Sequence, residues 1–260
     1  MLSPFELSNF KIVGKIYPLI KVNDLLVFSV NLAVLDELVT YWRAWLNIIF
    51  VADIFGLTDE FKHLCQQVTA NLEQGLGVEK GYGVKCHMVG PYQQQPKGLT
   101  CERDAYQYFT ENVSLEGYVN KLEQKLLAIS GRKWLVGFSV GGSAIWQLCA
   151  QGAVKQSLGA ICFYSSQIRY LTQLTPNIAT RLILPSTEPH FSVAALRTVL
   201  QDKSTVTLEQ SEYLHGFMNP LSVNYDADAY LYYLNRLADL LSRQYSPHIL
   251  EEKNLVRVLS

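Results

Sequence analysis

The fold is indicated most clearly by residues 133–142, which read KWLVGFSVGG. The apolar start of this stretch predicts a short strand, and the small residues after it predict a helix entered through the pattern G-x-S-x-G. Gly137 and Gly141 leave room for the chain and the following helix to approach closely. Such a turn lifts the hydroxyl of Ser139 above the sheet edge, at a helix N-terminus whose dipole favours a developing negative charge. We therefore interpret Ser139 as a nucleophile; the alternative is a tight strand-to-helix corner without chemistry.

Apolar runs and amphipathic patterns alternate on both sides of this turn. The runs predict strands over residues 47–52, 84–89, 134–136, 158–164, 181–184 and 205–208. The amphipathic patterns predict one helix after the N-cap candidate Thr58, and others over residues 105–109, 115–129, 142–150, 193–200 and 226–242. Strands that alternate with helices specify an α/β fold class, with a mostly parallel sheet and helices on both faces.

Residues 1–46 carry a less regular pattern. Alternation over residues 10–16 and an apolar run over residues 25–30 predict two strands, and residues 35–45 fit a short helix. The sequence contains no internal repeat and no linker that would separate domains. We therefore expect a single domain over residues 1–260, which includes these N-terminal strands and the helix.

The composition excludes several classes of protein. Hydrophobic residues make up 49% of the chain, and a formal net charge of −1 leaves no electrostatic footprint for nucleic acid or an anionic membrane. The five cysteines are scattered and form no C-x-x-C pair, so we expect no metal site, disulfide framework or cofactor. Because we find no secretory signal pattern and no uninterrupted apolar span, we expect a soluble, cytoplasmic protein.

A serine hydroxyl at neutral pH needs a base, and in this kind of fold the partners follow in the order serine, acid, histidine. Of the histidines after Ser139, His215 occupies the loop after the last predicted strand, where the base belongs. His248 lies beyond the final helix. We predict that His215 is the base; a structural or surface histidine is the alternative.

The acid that orients the base should follow the strand over residues 181–184. Glu188 is the only carboxylate at that strand end, because the next one, Asp202, lies beyond a helix. A glutamate suits this role, since it need only stay ionised and hold the imidazole tautomer. We predict that Glu188 is the acid; the alternative is a solvated loop carboxylate.

With these residues placed, the chain resembles the dienelactone hydrolase family of α/β hydrolases over about residues 47–243. The resemblance rests on DIFG at 53–56, GFSVGG at 137–142, ICFY at 161–164 and HGF at 215–217. It implies an α/β-hydrolase fold and an oxyanion hole made by the backbone N–H groups of Ile54 and Val140. It also implies that Asp53 matches a carboxylate that lies close to the resting nucleophile.

The chain departs from that family at several positions. Members that cleave dienelactone use a cysteine where this chain has Ser139, and an aspartate is usual where it has Glu188. They also hold the substrate carboxylate with arginines, one of them shortly after the histidine. Residues 215–219, HGFMN, and residues 90–93, GPYQ, contain no arginine.

The loops that follow the strands should line a substrate pocket above Ser139. The side chains that we expect there are Asp53, Phe55, Tyr92, Phe138, Tyr164 and Phe217. Any of the aromatic ones could instead belong to the core. We expect an apolar, uncharged cleft that prefers short neutral esters or lactones, unless a cation reaches it. The candidate cations are Lys97, Arg103 and Arg169.

The leading hypothesis is a serine hydrolase that cleaves small-molecule esters or lactones through an acyl-enzyme on Ser139. An α/β-hydrolase scaffold without activity, which binds a ligand or partner, is the main alternative, because one fold can host many functions. Acyl transfer to an acceptor other than water would use the same residues. We expect no nucleic-acid or membrane partner, and the sequence leaves the oligomeric state open, with a homodimer as one alternative.

Overall fold

A computed structural model describes residues 7–12, 15–22, 25–28, 46–77, 83–96, 98–154 and 156–259. The chain divides into two compact units, Met1–Ala44 and Trp45–Ser260. We describe each unit by itself, and the expectation of a single domain over the whole chain stays a prediction.

The first unit contains a three-stranded antiparallel sheet in the order β1-β2-β3. Its strands are β1 (Leu7–Ile12), β2 (Lys15–Val22) and β3 (Leu25–Phe28). The prediction of one strand over residues 10–16 is wrong, because Ile12 pairs with Lys15 across a chain reversal. Alternation of apolar residues continues through such a reversal and does not reveal it. The helix predicted over residues 35–45 lies outside the described residues.

The second unit is built on a six-stranded parallel sheet in the order β5-β4-β6-β7-β8-β9. Its strands are β4 (Leu46–Val51), β5 (Val84–Val89), β6 (Lys133–Phe138), β7 (Ser157–Phe163), β8 (Thr180–Leu184) and β9 (Val206–Gln210). The prediction of a mostly parallel sheet is confirmed, and each strand predicted from residue 47 onward is present.

Six helices accompany this sheet in the described part of the chain. They are α1 (Asp59–Leu76), α2 (Glu102–Asn112), α3 (Ser114–Leu127), α4 (Val140–Ala150), α5 (Val193–Leu200) and α6 (Ala227–Leu259). A short 3₁₀ helix, Ser166–Tyr170, follows β7. The predicted helices are confirmed, although α6 is longer than expected and the 3₁₀ helix was not predicted.

The helices cover both faces of the sheet. In β4, Ile48 and Phe50 belong to one buried cluster with residues of α1 and α6, whereas Ile49 and Val51 belong to a second cluster with residues of α3, α4 and α5. Because successive side chains of a strand point to opposite faces, this division follows directly from the apolar run of β4. The predicted layers, with helices on both faces, are therefore confirmed.

The order of the strands determines where a site can form. From β4 the chain goes to β5 on one side and then to β6 on the other, so the carboxyl ends of β4 and β6 lie next to each other at a switch point. Val51 pairs with Gly137 at these ends. In open α/β sheets such a crevice binds ligands. The loops after β4 and β6 therefore meet at one edge of the sheet.

Candidate active site

Ser139 occupies the sharp turn between β6 and α4. Its backbone has φ 51° and ψ −117°, a conformation that costs a residue with a side chain about 1–3 kcal/mol. The turn is held by the Ser139 N–H, which donates to the Phe163 carbonyl at 2.9 Å, and by the Ser143 N–H, which donates to the Ser139 carbonyl at 3.1 Å. A Cβ at Gly141 would collide with the backbone of β4, which explains the small residue there.

The structure brings Ser139, His215 and Glu188 together in one chain of hydrogen bonds. Ser139 Oγ lies 2.9 Å from His215 Nε2, and His215 Nδ1 lies 2.7 Å from Glu188 Oε1. The Glu188 side chain is 7% exposed, so its charge is largely shielded from water. A carboxylate can only accept, so we assign the imidazole proton to Nδ1, which leaves Nε2 to accept from the serine hydroxyl. The three residues come from the ends of β6, β8 and β9.

The histidine loop, residues 211–226, is fixed by contacts with its neighbours. The side chain of Asn224 donates to the His215 carbonyl at 2.9 Å, and the Tyr164 ring lies 5.1 Å from the His215 ring. The loop that carries Glu188 is joined to it, because the Ser186 N–H donates to the Tyr213 carbonyl at 2.7 Å. Glu188 and His215 are therefore held at their separation by a backbone hydrogen bond between the two loops as well as by the contact of their side chains.

Ile54 and Val140 line the same cleft as Ser139. Val140 is the first residue of α4, where a backbone N–H has no acceptor inside the helix. The N–H groups of Ile54 and Val140 make no hydrogen bond within the described part of the chain. The Ile54 carbonyl accepts from the Tyr92 hydroxyl at 2.5 Å. Two N–H groups beside one serine hydroxyl can bind a developing oxyanion.

Asp53 lies in the loop after β4, residues 52–57, which we call the oxyanion loop after the oxyanion hole that the family resemblance implies. Its carboxylate is buried beside the cleft. One oxygen accepts from the Phe55 N–H at 2.9 Å, and the other accepts from the Asn219 side chain at 2.7 Å. Burial raises the pKa of Asp53 to about 6, although both hydrogen bonds and nearby His215 oppose the rise. The Asp53 carboxyl is therefore a weaker acid in the folded protein than an exposed aspartate side chain.

The cleft above Ser139 has a volume of about 380 Å³. Of the six side chains predicted to line it, Asp53, Phe55 and Tyr164 do so. The other three, Tyr92, Phe138 and Phe217, lie away from its wall, and this correction has a physical reason for each of them.

Phe138 and Phe217 belong to the aromatic core below the site. The Phe138 ring stacks on Phe163 with centroids 5.1 Å apart, and the fully buried Phe217 ring lies 5.0 Å from the Tyr233 ring. Tyr92 supports the oxyanion loop from behind through its hydroxyl. All three were predicted from their places next to strand ends, which do not tell whether a side chain points up or down.

The expectation of an uncharged cleft is wrong, because Arg103 and Arg169 both line it; Lys97 lies outside the described residues. Arg103 pairs with Asp104 and its side chain is 86% exposed, which places it at the rim. Arg169 donates to the Ser166 carbonyl at 2.8 Å and to the Tyr170 hydroxyl at 3.0 Å. Its guanidinium also lies over the Tyr170 ring. Arg169 was one candidate cation among three, and its position could not be predicted because the 3₁₀ helix that carries it was not predicted.

Several lining residues were missed altogether. They include Glu102, Ser166, Gln167, His190 and Asn219. Glu102 begins α2, Ser166 and Gln167 lie in the 3₁₀ helix, and His190 and Asn219 lie well beyond the ends of β8 and β9, so no strand-end position in the sequence singles them out.

The described ranges contain neither a cluster of metal-ligating side chains nor a membrane-spanning helix. Among the residues with described placement, no group of three or more His, Cys, Asp or Glu is arranged to hold a metal ion. None of the helices in those ranges combines the length and apolar character that a membrane crossing requires. All five cysteines, which lie in the described ranges, are free thiols.

Comparison with known proteins identifies the fold. No family model matches the chain. The uncharacterized protein YczH of Bacillus subtilis (strain 168) is 34% identical over 128 residues, which are 48% of this chain and 62% of that protein. The match thus spans less than two thirds of that relative.

A dienelactone hydrolase-like promiscuous phosphotriesterase from metagenomic libraries superposes with a TM-score of 0.53 at 16% identity. The superposition covers 76% of this chain and 86% of that one. At 16% identity this likeness shows the fold alone. It agrees with the fold that the resemblance of the sequence motifs implies. The chain has an α/β-hydrolase fold with a parallel sheet of six strands.

Proposed function

We propose that this chain is a serine hydrolase of the dienelactone hydrolase type, which cleaves small ester or lactone substrates through an acyl-enzyme on Ser139. The observation that carries this proposal is the hydrogen-bonded series from Glu188 through His215 to Ser139, which ends at a strained turn in an open cleft. Strain of this kind persists where the surroundings over-determine it, and it clusters at active sites.

In the acylation step, Ser139 Oγ attacks the carbonyl carbon of the substrate while its proton passes to His215 Nε2. The carbonyl electrons move to oxygen, and the resulting oxyanion accepts hydrogen bonds from the N–H groups of Ile54 and Val140. Loss of one such donor typically costs about 10²–10³ in kcat. Glu188 stays ionised and stabilises the imidazolium that forms 2.7 Å away.

When the oxyanion collapses, the bond to the leaving oxygen breaks and His215 Nε2 returns its proton to that oxygen. The acyl group is then esterified to Ser139. A water molecule attacks this ester with His215 as base, and a second oxyanion forms in the same place. Its collapse releases the carboxylic acid and returns the proton to Ser139 Oγ. With a lactone, the two products remain one molecule.

Covalent labelling by a fluorophosphonate probe tests this proposal, because the probe phosphonylates an activated serine. We expect one probe per wild-type chain, none on Ser139→Ala, and full labelling of Ser204→Ala, which removes an exposed serine on another loop. Hydrolysis of a p-nitrophenyl ester should follow the same order. A folded wild type that neither labels nor hydrolyses would favour the alternative, a scaffold that only binds a ligand or partner. Products with an added alcohol would instead indicate acyl transfer.

A further inference from the structure

We infer that Asp53 and Asn219 act as a pair of positioning residues, whose hydrogen bond holds the oxyanion loop against the histidine loop in the geometry that hydrolysis needs. This inference rests on the proposed function and adds two residues to it. The two partners lie 166 positions apart in the chain, on loops that follow β4 and β9. We call their contact the Asp53–Asn219 tie.

The orientation of the Asn219 amide is fixed by its other contacts. The Leu221 N–H donates to Asn219 Oδ1 at 2.9 Å, so this atom must be the amide oxygen. The amide nitrogen then faces Asp53 and donates to Oδ2 at 2.7 Å. The Asn219 N–H also donates to the Gly216 carbonyl at 2.8 Å, which closes a turn directly after His215. A displacement of Asn219 would therefore move the backbone that carries the base.

At the other end, the Asp53 carboxylate shapes the oxyanion loop. Its Oδ1 accepts from the Phe55 N–H at 2.9 Å, and its carbonyl accepts from the Gly56 N–H at 3.1 Å. Both of these N–H groups are thus directed back at Asp53, and the N–H of Ile54, which precedes both, is left for the cleft. The tie thereby connects the proposed oxyanion donor at Ile54 to the base at His215.

The tie needs an acceptor at both carboxylate oxygens, because both partners are N–H donors. The groups that face Asp53 include the charged or titratable His215 and Glu102 and the buried phenols of Tyr92, Tyr118 and Tyr164. Among these, His215 favours the ionised carboxylate and Glu102 opposes it, while burial opposes it most. A protonated Asp53 would have to turn its hydroxyl toward one of the two N–H groups or leave that group without a partner, which would loosen the loop.

Exchanging the two partners gives a direct test, because the two side chains have the same shape. In Asp53→Asn alone, two amide nitrogens compete for the contact, and in Asn219→Asp alone two carboxylates face each other. The double variant reverses donor and acceptor and can keep all of the hydrogen bonds, including those from the Phe55 and Leu221 N–H groups. We expect each single change to lower kcat at least about tenfold, and the double variant to return to within about threefold of wild type.

The readouts separate the possible failures. Asp59→Asn, which alters an exposed carboxylate on α1, is the matched control and should leave kcat unchanged. Thermal melting shows that each variant is folded, and rescue within the double variant does not depend on any one single variant folding. A wild-type rate in either single variant, or a folded double variant no faster than the singles, would overturn the tie alone. If folded wild type is neither labelled by the probe nor able to hydrolyse the ester, the proposed function is overturned, and the role of the Asp53–Asn219 tie with it.

Discussion

At the scale of single residues, two carboxylates support the proposed reaction by different means. Glu188 contacts the imidazole directly across 2.7 Å, so its charge can stabilise the imidazolium. Asp53 accepts hydrogen bonds from two neutral N–H groups, and burial raises its pKa to about 6. The first residue acts through charge beside the reacting atoms, and the second acts through the geometry of two loops.

Replacing Glu188 tests the first role. We expect Glu188→Gln to lower kcat by roughly 10²–10⁴, because the amide no longer fixes the imidazole tautomer or stabilises the imidazolium. Steady-state hydrolysis of a p-nitrophenyl ester measures the loss, and circular dichroism checks the fold. Glu212→Gln changes an exposed carboxylate on the histidine loop and should retain the wild-type rate. Equal rates for both variants would contradict the assignment of Glu188.

The raised pKa of Asp53 has a consequence for stability. The folded-state pKa of about 6 lies above the ordinary value of 3.8, so the folded protein binds a proton more readily than the unfolded chain. Ionisation of Asp53 therefore opposes folding, and this penalty is relieved as the pH falls through about 6. Asp53→Asn cannot titrate at this position. The unfolding free energy of wild type, relative to this variant, should rise by about 1.5 kcal/mol between about pH 8 and about pH 5.

Urea unfolding of both proteins at the two pH values measures this difference, and titrations shared by both proteins cancel in it. A difference that stays constant with pH, or that falls as the pH is lowered, would show that Asp53 does not have a raised pKa in the folded protein.

The sequence was sufficient to place Ser139, Glu188 and His215 at three strand ends, and in the structure their side chains lie within hydrogen-bonding distance of one another. It was not sufficient for Asn219, whose partner Asp53 is 166 positions away. Nor could the sequence distinguish the aromatic side chains that line the cleft from those that belong to the core. Phe138 immediately precedes Ser139, yet it points into the core, because it lies on the same face of β6 as the buried Trp134 and Val136.

At the scale of elements, the strands and the longer helices could be predicted from the sequence. Strands that are buried on both faces form continuous apolar runs, and helices that pack on the sheet carry an amphipathic pattern. The antiparallel hairpin of β1 and β2 could not be predicted, because its reversal occupies too few residues to interrupt the alternation. The 3₁₀ helix Ser166–Tyr170 was missed for a similar reason, since one short turn carries little periodicity. That omission mattered, because this turn places Arg169 in the cleft.

The turn between β6 and α4 should store strain that a glycine would release. The backbone of Ser139, at φ 51°, suits glycine better than any residue with a Cβ. We expect Ser139→Gly to be more stable than Ser139→Ala by about 1 kcal/mol, although neither variant should hydrolyse esters. Urea unfolding measures the difference. The same pair of changes at Ser143, inside α4, should give the opposite order, because glycine weakens a helix interior. If alanine is favoured at both positions, the turn is not strained.

At the scale of the whole second unit, the cleft is assembled from segments far apart in the chain, so its charge could not be predicted from any one of them. Three carboxylates reach it, but each has a partner. Asp53 accepts from Asn219, Glu102 accepts from the Ser222 hydroxyl, and Glu188 faces His215. Arg169 has no carboxylate within 4 Å among the described residues. Of the two arginines that line the cleft, Arg169 is therefore the one whose guanidinium has no carboxylate partner in the described part of the chain.

The Arg169 guanidinium, which lines the cleft without a carboxylate partner in the described residues, predicts how the cleft discriminates between substrates. We expect wild type to cleave an ester with a carboxylate on its acyl chain faster than the matched neutral ester, because the guanidinium of Arg169 can donate to that carboxylate. Arg169→Gln should lower kcat/KM for the anionic ester by about 10–100-fold, the equivalent of about 1.5–3 kcal/mol, and leave the neutral ester within about twofold. Arg103→Gln removes a cation that is already paired and exposed, so it should change either ester less than about threefold. If Arg169→Gln slows both esters equally, Arg169 supports the wall through Ser166 and Tyr170 and does not select the substrate.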